Sequence, residues 1–284
     1  WTLPSHMSVW TGRWPSVHQV TNKLRPLSGG QMVETSLSAG IETYPDLLAR
    51  SGRKAAGFSG GAGVQGKYGF NRGFETYLDD RYFGGMDYTI PPALQWLKAN
   101  TDSPFFLFLH GYDVHGQFDL PQSQVDTIRD YSGTLDGSKD EQAKLREKGL
   151  KAIVNPGDPA HLRGQLDASD VGFLPKVYDG KVKLADERVG SFLSQLKALG
   201  LYDRSIIILM SDHGDEFMDH DGVDHGATLY QEQLHVAMMI RFPGYGRRQD
   251  IRTPVRTIDI FPTVFETLGM AGPANVDGVS LLPL

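Results

Sequence analysis

Ser211-Asp212-His213-Gly214-Asp215-Glu216, with His225-Gly226 just downstream, is the stretch richest in groups that bind ions or move protons. A carboxylate beside an imidazole is a good start on a divalent metal site, so Asp212 and His213 are the candidate ligands. Five more acidic residues and three more histidines follow Asp215 up to His235. A second reactive candidate lies at the other end, in Thr2-Leu3-Pro4-Ser5-His6 through Thr11-Gly12. Pro4 suits the first turn of a helix, where a missing N–H costs nothing. The free N–H groups and the dipole there favour an anion, which makes Thr2 a candidate nucleophile; its other reading is a helix N-cap.

These groups need elements to hold them. Ser205 to Met210 is a short apolar, β-branched run between turn-formers, the pattern of a strand buried on both faces. Asp212 and His213 fall just beyond its carboxyl end, where open α/β sheets bind ligands. Phe105 to Leu109 is a second such strand, ending in His110-Gly111-Tyr112-Asp113-Val114-His115. His115, further into that loop, is the histidine placed to reach a ligand. Val236 to Ile240 reads as a third buried strand, and Lys54 to Phe58 as a short one before the glycine-rich loop Ser59-Gly60-Gly61-Ala62-Gly63. Helices are expected over Tyr44–Arg50, Ala93–Leu97, Tyr178–Gly200, from Gly226 onward, and over Val255–Leu268. Asp179, Lys181, Asp186, Glu187 and Arg188 read as the solvated face of the third helix. Residues 19–40 read as a loop, and 119–175 as a surface excursion.

Helix followed by strand is the repeat of a doubly wound α/β fold, so the expectation is a mostly parallel central sheet with helices on both faces. With 284 residues, no internal repeat and no low-complexity linker, one domain over 1–284 is the simplest organisation. A net charge of -6 argues against a nucleic-acid partner. No segment reaches the ~18 apolar residues of a membrane span, and no signal-peptide pattern stands out. The chain opens on Trp1 without an initiator Met, as a processed or truncated piece would. It has no cysteine, hence no disulfide, thiolate ligand or Cys nucleophile.

In this order, the motifs resemble the sulfatase family of the alkaline phosphatase superfamily. The likeness runs from Thr2 to Leu284 through Thr2-Leu3-Pro4-Ser5-His6, Phe106 to His115, Tyr178-Asp179-Gly180, Ser211-Asp212-His213-Gly214, His225-Gly226 through Tyr230, Phe242-Pro243-Gly244 and Asp277-Gly278. The resemblance implies an alkaline-phosphatase-like α/β fold and puts the nucleophile at Thr2. It puts one divalent ion, calcium before manganese or zinc, on Asp212 and His213. His115 and His225 fall where side chains grip the oxygens of the substrate anion, with His6 beside the nucleophile as a further substrate contact.

Three departures stand out. Most sulfatases carry Cys or Ser at the nucleophile position, oxidised to a formylglycine; Thr2 has no such route. His6 stands where the usual signature has arginine. An upstream strand ending in an Asp pair, usual in the family, does not occur in this sequence. Metal-dependent hydrolysis of a sulfate ester through a covalent intermediate is the first expectation. A phosphodiester or phosphonate ester hydrolase, or a phosphotransferase, is the second; an inactive fragment that binds only an anion or partner is the third. The substrate would be a small-molecule, glycan or lipid sulfate or phosphate ester, in a periplasmic or secreted setting.

Overall fold

Along Phe105–Leu109 the side chains alternate between two hydrophobic clusters: Phe106 and Phe108 join one, Phe105, Leu107 and Leu109 the other. This is the two-residue period of a strand with protein on both faces. The computed structural model describes residues 1–27, 29–116, 128, 131–154, 165–273 and 275–284, the side chains of 139 and 149–154 excepted.

In chain order, the described elements begin with α1 (Thr2–Thr11), α2 (Pro15–His18), β1 (Leu24–Pro26), β2 (Met32–Glu34), α3 (Tyr44–Arg50), β3 (Lys54–Phe58), β4 (Thr76–Leu78), α4 (Met86–Lys98) and β5 (Phe105–Leu109). They continue with α5 (Lys139–Val154), α6 (Ala168–Ala198), β6 (Ile207–Met210), β7 (Glu216–Phe217), β8 (Val223–Asp224), α7 (Gln231–Leu234), β9 (Met238–Arg241) and α8 (Ile260–Thr267). The chain divides into two units. The larger comprises Thr2–Tyr112, Phe192–Asp212 and Met238–Leu284; the smaller comprises Trp1, Asp113–Ser191 and His213–Ala237.

In the larger unit, β4, β3 and β5 form a parallel sheet in that order, with Lys54 opposite Phe105 and Phe58 opposite Leu109. Helices cover both faces, as expected of a doubly wound sheet. On one side lie Leu3, Met7 and Trp10 of α1, Tyr44 of α3, and Phe261 and Phe265 of α8. On the other lie Leu97 of α4 and Phe192 and Leu196 from the end of α6. The spacing of Leu3, Met7 and Trp10 gives α1 one apolar stripe, and Gly12 ends the helix at φ 65°. Trp10 packs edge-on to Phe108 with ring centroids 4.6 Å apart, and Tyr44 stacks on Phe261 at 4.8 Å. Truncating either buried aromatic to Ala is worth about 3–5 kcal/mol of stability.

Two expectations about strands change. β9 pairs with β6 antiparallel, Ile207 opposite Arg241 and Met210 opposite Met238. It is also less buried than its apolar run suggests, with Met239 58% exposed. Within 19–40, read as loop, β1 and β2 form a hairpin with Leu24 opposite Glu34. Helix α6 begins at Ala168, ahead of the expected Tyr178, and runs through Pro175.

In the smaller unit, Phe173, Leu174 and Val177 of α6 pack with Leu135 and with Leu145 of α5. The region read as an excursion therefore holds a helix and a small core, while 117–127, 129–130 and 155–164 lie outside the described residues. No described helix is long and apolar enough to cross a membrane.

Candidate active site

In the larger unit, the first turn of α1 meets the ends of β3, β5 and β6. Thr2 is buried, and its hydroxyl is hydrogen-bonded to the phenol of Tyr112. That phenol accepts the Gly63 N–H at 2.9 Å and donates to the Gly61 carbonyl at 3.1 Å. Burial pushes the Tyr112 hydroxyl up, so it stays protonated. The glycine-rich loop earns its composition here. Gly61 has φ 73°, and a Cβ on it would run into the Arg81 carbonyl; a Cβ on Gly63 would press on Thr2 at 3.0 Å. The loop brings backbone against the candidate nucleophile.

His6, one turn on from Thr2, links it to the metal candidate. Its Nδ1 lies 3.0 Å from the Thr2 carbonyl oxygen and 3.4 Å from an Asp212 carboxylate oxygen. Both neighbours are acceptors, so this nitrogen carries the proton. Ser5 Oγ donates to the Asp212 carbonyl at 2.7 Å. Thr2, His6 and Asp212, about two hundred positions apart in sequence, thus meet in one unit.

The smaller unit gathers the imidazoles. The ring centroid of His225 lies 3.9 Å from that of His213 and 5.1 Å from that of His115. His225 Nδ1 sits between two carboxylates, 2.6 Å from Asp215 and 2.7 Å from Asp224. Burial alone would keep this ring neutral, but hydrogen bonds and charge from Asp215 and Asp224 outweigh it and raise its pKa to about 9. His115 goes the other way: burial, reinforced by the positive charge of His225, lowers it to about 4. At pH 7, therefore, His225 is the cation and His115 is neutral.

Two residues assigned to the solvated face of α6 have other roles. Lys181 is buried and donates to the carbonyls of His115 at 2.7 Å and Gly116 at 3.2 Å. Arg188 pairs with the buried carboxylate of Asp113. Both pin the loop that carries His115. Sequence reading also passed over Asp215, Asp224 and Tyr112. The adjacency of Asp215 to the Asp212-His213 pair was the one available signal; the others depend on contacts that only the fold supplies.

One donor atom each from His213, Asp215 and His225 lies within 4.8 Å of the others, a set that could hold a metal ion. His225 serves either as ligand or as cation, not both, and the two carboxylates on its Nδ1 favour the cation. That leaves imidazole and carboxylate donors from His213 and Asp215, which fit a divalent ion.

The sulfatase family model matches residues 2–270. The chain belongs to the sulfatase family. It is 26% identical over 206 residues to Arylsulfatase K of Bos taurus, an overlap of 67% of this chain and 37% of that protein. The chain spans about half or less of the curated relatives it matches. Two solved structures share its fold. One, in complex with its substrate D-glucosamine-2-N,6-O-disulfate, has TM-score 0.70 at 17% identity, covering 100% of this chain and 70% of the other. The phosphonate monoester hydrolase of Agrobacterium radiobacter has TM-score 0.71 at 18% identity, covering 99% and 67%. These likenesses bear out the α/β, alkaline-phosphatase-like fold read from the motifs.

Proposed function

We propose that this sulfatase-family chain hydrolyses sulfate esters through a covalent intermediate on Thr2. The observation that carries the reading is His225, a buried imidazole made cationic by two carboxylates and set beside His115 and His213. A cation fixed on its Nδ1 side by two carboxylates, with a neutral His115 beside its ring, suits a tetrahedral anion, whose equatorial oxygens need charge and hydrogen bonds in the transition state.

The family resemblance assigns Thr2 and His225 to one substrate: Thr2 Oγ attacks sulfur, losing its proton to solvent, as the bond from sulfur to the alcohol oxygen breaks. The ring of His225, with Nδ1 held by carboxylates, has Nε2 left for the substrate and gives a proton to the departing alkoxide. Water then attacks sulfur, passing a proton to the now neutral His225, and breaks the bond to Thr2 Oγ, which takes up a proton from solvent as sulfate is freed. His115, neutral, and His6 contact the anion by hydrogen bonds. Asp212 and His213 are the proposed ligands of one divalent ion, joined by Asp215. Such an ion, when bound, would lower the pKa of a coordinated hydroxyl and polarise an anion oxygen. The family resemblance points to calcium; the imidazole in the donor set suits manganese or zinc as well.

Thr2 also supports a second reading, a phosphonate or phosphodiester hydrolase, because a threonine cannot become formylglycine. A panel of aryl sulfate, aryl phosphonate and phosphate diester, run with metal analysis of the dialysed protein, separates the two. Sulfate turnover that falls at least a thousandfold in Thr2→Ala, with unfolding unchanged, supports the first reading. A preference for the phosphonate supports the second. A protein that retains no divalent ion and turns over none of the three is an anion-binding fragment.

A further inference from the structure

Asp224 occupies an expensive position. Its carboxylate is 3% exposed, and its backbone is left-handed at φ 75°, a region where Asp, Asn and Gly are tolerated and most residues are not. Met218 and Asp221, in the same β7–β8 hairpin, are left-handed too, at φ 71° and 64°. A buried charge and a strained backbone persist only where the surroundings impose them.

Those surroundings are specific. One Asp224 oxygen lies 2.7 Å from His225 Nδ1, and the other lies 3.1 Å from Arg146 Nε on α5. The same first oxygen accepts the His225 backbone N–H at 2.9 Å. Glu216, at the start of the hairpin, accepts the N–H of His220 at 2.8 Å and of Gly222 at 3.2 Å. Beyond His225, the Gly226 N–H donates to Gln233 Oε1 at 2.9 Å, and Gln233 Nε2 donates to Thr228 Oγ1 at 2.6 Å. The backbone is therefore fixed on both sides of His225, and the orientation of the ring is set by the side chains that meet it. Asp215 grips the ring from one direction; Asp224 closes the other.

We propose that Asp224, braced by Arg146, is a positioning residue that locks the ring plane of His225 toward the substrate anion. A fold-only role would explain the hairpin but not why a charge from another helix is spent on the carboxylate behind a single imidazole. Buried ion pairs are often replaceable by apolar residues without loss of stability.

The inference rests on the ester-hydrolase reading, and the experiment has one arm that does not. Asp224→Gly is at ease at φ 75° and removes only the side chain; Asp224→Asn keeps a hydrogen-bond acceptor in the same backbone. On an aryl sulfate, Asp224→Gly lowers kcat about 10- to 100-fold with KM within threefold, Asp224→Asn recovers most of that loss, and Arg146→Gln shows a smaller fall of the same kind. Wild-type kcat in Asp224→Gly, or an Asn variant no better than the Gly variant, overturns the proposal. The second arm follows the His225 Nδ1 proton by NMR, assigned by its loss in His225→Gln. Its exchange with water speeds up at least tenfold in Asp224→Gly, and equal protection in both proteins overturns the proposal. If the wild type hydrolyses no ester, the functional reading falls while this arm still decides whether Asp224 holds the ring.

Discussion

His18 and His225 are both buried, 2% and 7% exposed, yet one is neutral and the other cationic. His18 ends α2 in the larger unit and meets only neutral groups. Its Nδ1 faces the Val20 N–H at 3.1 Å, so it accepts, and Nε2 carries the proton toward Ser8 Oγ at 3.0 Å. Burial lowers its pKa to about 4, against a smaller opposing pull from the Pro4 carbonyl. His225 meets two carboxylates and rises to about 9. Burial therefore does not decide the charge of a histidine; the partner does. The first ring is a strut between α1 and the chain after α2; the second is a buried cation, which the proposed function assigns to the substrate anion.

The widest gap between the two should appear when each is replaced by Gln. His225→Gln should lower turnover of the aryl ester by roughly 10²- to 10⁴-fold, the span expected for a lost acid or charge clamp, and should also lower the denaturation midpoint, because Asp215 and Asp224 lose their buried cation. His18→Gln should lower the midpoint too but leave kcat within a few-fold, so turnover separates the two rings. Turnover and urea melts on both variants check this, and a His18 variant as inactive as the His225 variant would dissolve the distinction.

Acid should expose the strut next. His18 has a folded pKa of about 4 against 6.5 in the unfolded chain, so the unfolded state takes up a proton first as pH falls. Its contribution is whole above pH 6.5 and is lost progressively from 6.5 down to about 4, reaching about 3 kcal/mol at 1.36 kcal/mol per unit. Urea unfolding of wild type and His18→Gln at pH 7.5, 5.5 and 4 isolates it, because other histidines contribute to both proteins. Parallel stability curves would show that His18 does not titrate in this way.

The same contrast explains what could be read from the sequence. Phe105–Leu109, Lys54–Phe58 and Tyr44–Arg50 form the expected elements with the expected ends, because hydrophobic period and turn residues are local signals. The direction of β9 is not local: an apolar run reports burial, not which neighbour it pairs with. The β1–β2 hairpin escaped because both strands are largely exposed and carry no apolar alternation. Gly172 and Pro175 masked the first turns of α6. At the candidate site, His115, Asp212, His213 and His225 were visible as ligand-type residues beyond strands. Asp215, Asp224, Lys181 and Tyr112 matter through what they touch, and apart from Asp224 to its neighbour His225 those contacts span from ten to more than a hundred positions. His18 drew no notice for the same reason: nothing in its neighbourhood announces a neutral, buried ring.

The finest test concerns the partner of that ring. Ser8 Oγ lies 3.0 Å from His18 Nε2, and the Pro4 carbonyl pulls on the same ring, which makes it the second acceptor for that proton in this prediction. Removing the hydroxyl with Ser8→Ala leaves the proton an acceptor, so no buried donor is orphaned. The loss should be that of one neutral hydrogen bond, about 1 kcal/mol or less, well below that of His18→Gln. Because neutral partners leave the ring's charge where burial puts it, the variant should also keep the acid-sensitive window of the wild type. Had Ser8 been the sole acceptor, its loss would instead approach 1–3 kcal/mol, the penalty of an unsatisfied buried donor. Urea melts of Ser8→Ala at pH 7.5 and 5 separate the two cases, and a loss in the larger range would mean that the Pro4 carbonyl does not share the proton.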